Sequence, residues 1–82
     1  SLRQDRKFIN IFIDKSGGIF LNKKKIFLED IIGSISNLIN ESKNLVVLHA
    51  DKDASHGEVI NVLDVLRSID GLKIAISTKK YN

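Results

Sequence analysis

At 82 residues the chain has room for one small core, so it is read as a single domain with a thin stability margin; a domain this size buries only about 60–65% of the surface its unfolded chain exposes. Hydrophobic residues make up 43% and charged residues 28%, ordinary globular usage that argues against a disordered chain and against a coiled coil. There is no cysteine, hence no disulfide or thiolate metal site, and the net charge of +3 rests on lysine, with arginine only at positions 3, 6 and 67, a weak basis for reading nucleic acid.

Residues 1–6 are polar, charged and without period, a flexible lead-in. Residues 7–13, KFINIFI, alternate as a strand does, with Ile9, Ile11 and Ile13 on one face and Phe8, Asn10 and Phe12 on the other. Asp14-Lys15-Ser16-Gly17-Gly18 supplies turn chemistry, and Ile19-Phe20-Leu21 returns as the second arm of a hairpin. Asn22-Lys23-Lys24-Lys25 is a second polar turn, leading to a short extended segment at Ile26-Phe27. Over residues 28–41 the period changes to that of a helix, with Leu28, Ile31, Ile32, Ile35, Leu38 and Ile39 on one stripe. Glu29 and Asp30 suit its first turn, Gly33 weakens its interior, and Ser42-Lys43-Asn44 ends it.

Residues 45–78 make one complete strand–helix–strand unit. Two short aliphatic runs, 45–50 and 72–77, have the texture of buried parallel strands. Between them Ser55 and Glu58 stand at S-x-x-E spacing, so the Ser55 hydroxyl is expected to cap the Glu58 amide and the Glu58 carboxylate to reach back to the Ser55 amide. Val59, Val62, Leu63, Leu66 and Ile69 form the apolar stripe of the helix that follows. Asp70-Gly71 is expected to end it, Gly71 supplying a left-handed backbone. Residues 79–82 carry no pattern and read as a tail after a domain of residues 7–78.

The element order is therefore β-β-β-α-β-α-β, with a right-handed βαβ unit at 45–78. Two helices with one apolar stripe each are buried together when both pack on one face of a single mixed sheet, giving an α/β or α+β fold. The opposite face is expected to present Phe8, Phe12, Val46 and Leu48, more apolar surface than a solvated face carries, so something else covers it. The hairpin fits on either side of the parallel pair, so the strand order stays open.

Three constellations carry chemistry only weakly. His49, Asp51, Asp53 and His56 gather two imidazoles and two carboxylates near a strand end, but loop and pre-helix duties explain the acids and solvent exposure explains the histidines. A triad of His49, Ser55 and an aspartate lacks any strained nucleophile elbow, and Ser55 is already explained as a cap. The turns Lys15-Ser16-Gly17-Gly18 and Lys23-Lys24-Lys25 match no phosphate loop and read as solvated hairpin turns. No enzyme activity, cofactor or metal is expected.

A strand ending in Ala50-Asp51, a polar loop, the helix HGEVINVLDVLRSIDG and the strand LKIAIST, preceded by IDKSGGIFLNKKKIFLEDI, resemble the periplasmic domain of the ExbD/TolR family in order and spacing over residues 8–78. His56 departs from it, since the family commonly has tyrosine there. The resemblance implies one transmembrane helix upstream of this domain, holding the proton-carrying aspartate, and anchorage in the inner membrane with the domain in the periplasm. It implies a homodimer, a membrane partner of the ExbB/TolQ type, a periplasmic partner of the TonB/TolA type, and peptidoglycan as a further contact. Asp51 and Gly71 fall on shared motif positions. Partner binding is thus expected at Asp51, His56, Phe8, Phe12, Val46 and Leu48, with Ser55, Glu58 and Gly71 structural. The alternative is a cytoplasmic domain that binds nucleic acid through its basic turns.

Overall fold

The computed structural model describes residues 8–79. Isoleucines at every second position make β1 (Phe8–Ile13), whose burial alternates with them. Asp14 turns the chain: its Oδ1 accepts the Ser16 and Gly18 amides at 2.9 and 2.8 Å, and Gly17 takes φ 89°. The chain returns as β2 (Ile19–Leu21), then reverses over Asn22-Lys23, with Asn22 left-handed at φ 57°, into β3 (Lys24–Ile26). That third strand begins two residues earlier than the expected segment at Ile26-Phe27, because asparagine tolerates the left-handed backbone a tight turn needs.

The first helix is shorter than its stripe. Residues 28–30 form a 3₁₀ turn and only α1 (Ile31–Ser36) is α-helical, against an expected helix over 28–41. Asn40 stops it, because its Oδ1 takes the Ser42 and Lys43 amides at 2.8 and 2.9 Å and holds a turn where helix would have continued. Ile31 and Ile35 are buried, while Ile32 and Leu38 are exposed.

β4 (Leu45–Asp51), α2 (His56–Arg67) and β5 (Lys73–Lys79) complete the fold. Val62, Leu63, Leu66 and Ile69 are buried as the stripe predicts, with Val59 packed against them. Helical residues end at Arg67, so Gly71, with φ 79°, serves the turn into β5 and does not itself close the helix. The lead-in at 1–6 and residues 80–82 of the tail lie outside the described residues; Lys79 ends β5 instead of opening the tail.

The strands form one mixed sheet in the order β3-β2-β1-β4-β5, which settles the open question: the hairpin sits on the β1 side of the parallel pair. β1, β4 and β5 are mutually parallel, β2 and β3 antiparallel. Both parallel crossovers step toward the same edge, and crossovers of one hand then place both helices on one face. There Ile9, Ile11, Ile13, Ile26, Val46 and Leu48 meet Ile31, Ile35, Val62, Leu63 and Leu66 in one core.

Candidate functional site

β1 and β4 pair with Phe8 opposite Leu45, Asn10 opposite Val47, and Phe12 opposite His49. Cross-strand partners share a face, so these six side chains lie together on the side without helices. Phe20, opposite Phe12, extends the row to β2, and Ala75 and Ser77 extend it to β5. Val46 and Leu48, expected on this face, are the opposite: each is 0% exposed under the helices, in register with Ile9 and Ile11. The pleat permits nothing else, because neighbours in a strand alternate sides and Leu45, Val47 and His49 already occupy the open one. Phe8 is 41% exposed and Phe12 half-buried, so the aromatic half of the expectation lies where it was placed.

His49 does not project into solvent as the sequence suggested. Its ring stacks on Phe12 with centroids 4.5 Å apart and planes 13° from parallel. Its Nε2 lies 2.8 Å from Asn10 Oδ1, and since an amide oxygen only accepts, Nε2 is the donor of that bond. The sequence carried a hint of this: His49 is the polar residue within the aliphatic run 45–50, and its parity is shared by Leu45 and Val47. Asn10 lies on the face where the alternation of β1 placed it, whereas Phe20, Leu45, Val47 and His49 were missed as members of this surface.

At the carboxyl end of β4, Asp51 is 3% exposed. Its Oδ1 accepts the Asp53 amide at 2.8 Å and its carbonyl the Ala54 amide at 2.9 Å, so it shapes the loop into α2. Ser55 then caps the helix, its Oγ accepting the Glu58 amide at 3.1 Å. The return contact differs from a full capping box, because Glu58 Oε1 accepts the Ser55 hydroxyl at 3.0 Å instead of the Ser55 amide. The Glu58 carboxylate also lies over Gly17 in the first hairpin turn, close to where a Cβ on that residue would stand. Asp53 and His56 are exposed, and among the described residues no three of His, Cys, Asp or Glu converge on a point that could hold an ion. The four-residue cluster of the sequence is therefore spread over the open face, the loop and the start of α2.

Among the described residues β5 forms the longer edge of the sheet, seven residues, with Ile76 54% exposed. No helix among the described residues is long and apolar enough to cross a membrane.

The family model for biopolymer transport protein ExbD/TolR matches residues 2–81. A protein of Synechocystis sp. (strain ATCC 27184 / PCC 6803 / Kazusa), described as a biopolymer transport protein ExbD, is 29% identical over 76 residues, 92% of this chain and 28% of that protein. The chain thus spans less than a third of the length of that relative.

Proposed function

Since the chain belongs to the ExbD/TolR family of biopolymer transport proteins, we propose that it is the periplasmic interaction domain of an inner-membrane complex driven by proton flow. The complex is of the ExbB–ExbD–TonB or TolQ–TolR–TolA type and serves outer-membrane transport or envelope integrity. The role is not enzymatic. The observation that carries this reading is the family match over residues 2–81, joined to a relative more than three times as long, which leaves length for an anchor.

The domain contributes surfaces, not chemistry. The β5 edge offers a row of unpaired backbone groups, the ordinary route by which two copies, or a copy and a partner strand, join sheets. The Phe8, Phe12 and Phe20 row on β1 and β2, across β4 from that edge, supplies apolar area on the open face. Self-association through β5 is weak in the isolated domain and strengthened when a membrane helix raises the local concentration. Proton transfer belongs to an aspartate in that helix, where a lone carboxylate is costly unless it faces a channel partner. No aspartate of this chain takes that role.

In the full-length protein, replacing the membrane aspartate with asparagine should abolish proton-driven uptake or envelope integrity while this domain folds unchanged. Full retained activity would sink the motor reading.

A further inference from the structure

The side of the sheet without helices has an apolar middle and basic margins. Phe8, Phe12, Phe20, Leu45 and Val47 make the middle. Lys25 on β3 lies opposite Phe20, and Lys73 on β5 opposite Leu45, so both lysines share this face, one at each edge of the sheet, and both are exposed. No exposed carboxylate stands on the five strands. Asp51 has the parity of this face but is 3% exposed, with its Oδ1 on the Asp53 amide, and the other acids among the described residues lie in turns and helices. The ion pairs among the described residues are Lys52 with Asp53 and Arg67 with Asp64, so neither Lys25 nor Lys73 has a carboxylate partner there.

We propose that this face rests on an anionic lipid surface, with the phenylalanines against the headgroup and acyl boundary and Lys25 and Lys73 against the phosphates. Size argues against a protein occupant. Five strands and the residues from Phe8 to Phe12 span about 19 Å by about 13 Å, roughly 250 Å² of projected surface. Each side of a stable protein interface buries ~800 Å², well above this even with side-chain relief added. Charge argues against a second copy, because two such faces would bring their lysines together with no acid among them. A bilayer is not limited in area, and its anionic headgroups supply the charge the face lacks. The inference rests on the proposed membrane anchorage only for local concentration, since a tethered domain meets the bilayer without a search. The contact itself is a property of the face.

The test mixes the isotopically labelled 82-residue chain with lipid nanodiscs made of phosphatidylglycerol and phosphatidylcholine in equal parts and carrying a spin-labelled lipid. Paramagnetic broadening of amide signals is expected at Phe8, Phe20, Lys25, Val47 and Ala75, and not at Ser36 or Asp64 on the helix side. Discs of phosphatidylcholine alone should bind at least threefold more weakly. The double variant Lys25→Glu, Lys73→Glu should lose the same factor, and so should Phe8→Ser, whose side chain is 41% exposed and outside the core. An unchanged amide spectrum away from the substitutions shows that each variant still folds. No broadening up to about 10 mM lipid would overturn the proposal, as would broadening centred on the helices, or charge variants that bind as the wild type does. If acetyl-Glu-Leu-Glu-Leu-Glu-amide shifts these amides saturably where the discs do nothing, the face belongs to an acidic protein segment and the lipid contact is excluded. Because the chain is free in solution here, a negative result removes the lipid contact and leaves the motor reading to its own test.

Discussion

Gly17 in its turn and Gly33 in its helix have surroundings that give substitution opposite signs. At Gly17 the φ of 89° is strained for any side chain, and a methyl group there would also push the Glu58 carboxylate aside. Gly17→Ala should cost about 1–2 kcal/mol. Gly33 has ordinary helical geometry and open space, and Gly33→Ala should gain about 0.5–1 kcal/mol from helix propensity alone. Urea unfolding of the two variants decides this, and shifts of the same sign would refute it. Asp51 combines a family motif position with burial, so its two duties need separating. Asp51→Ala strips an acceptor from the Asp53 amide and should lower stability by about 1–3 kcal/mol. Asp51→Asn keeps an oxygen for that amide and should fold nearly as the wild type. If the asparagine variant of the full-length protein nonetheless fails in transport or envelope integrity, the carboxylate itself is used; if it works normally, Asp51 is structural only.

Among the elements, the two sheet edges are managed differently. β3 is three residues long and carries Lys24 and Lys25, whereas β5 is seven residues long with Ile74 and Ile76 in its middle. Short, charged edges resist pairing and long apolar ones invite it, so self-association should run through β5. Sedimentation equilibrium toward millimolar concentration should detect weak dimers, and Ile76→Lys should weaken them at least tenfold, since Ile76 is 54% exposed and its loss leaves the core intact. A wild-type chain that stays monomeric throughout, or a variant that associates equally, would exclude this edge. Where α1 stops is likewise a matter between neighbours: the apolar stripe runs on to Leu38 and Ile39, but the Asn40 side chain competes for the Ser42 and Lys43 amides and wins.

For the molecule as a whole, one core covers one face of the sheet and leaves the other to Phe8, Phe12, Phe20, Leu45 and Val47. His49 belongs to that face through its stack with Phe12 and its bond to Asn10, and does not stand in solvent as the sequence suggested. Recruiting it for a metal would require breaking both contacts, and His56 stands at the start of α2. Zinc titrated into the chain near neutral pH should therefore bind no tighter than about 10 µM, some −7 kcal/mol. A submicromolar site by calorimetry would reopen the question of chemistry.

Periodicity alone was enough for the order β-β-β-α-β-α-β, the buried stripe of α2, the Ser55 cap and the left-handed Gly71, because each depends on residues within a few positions of one another. Long-range choices were not legible. The order β3-β2-β1-β4-β5 depends on which strand the hairpin docks beside, and the open-face membership of Leu45, Val47 and His49, with Val46 and Leu48 beneath the helices, depends on the register of β4 against β1. Residues 45–48 are aliphatic on both sides and His49 gives only a hint of parity, so pairing with β1, whose isoleucines already face the helices, decides which side chains of β4 are core and which are surface.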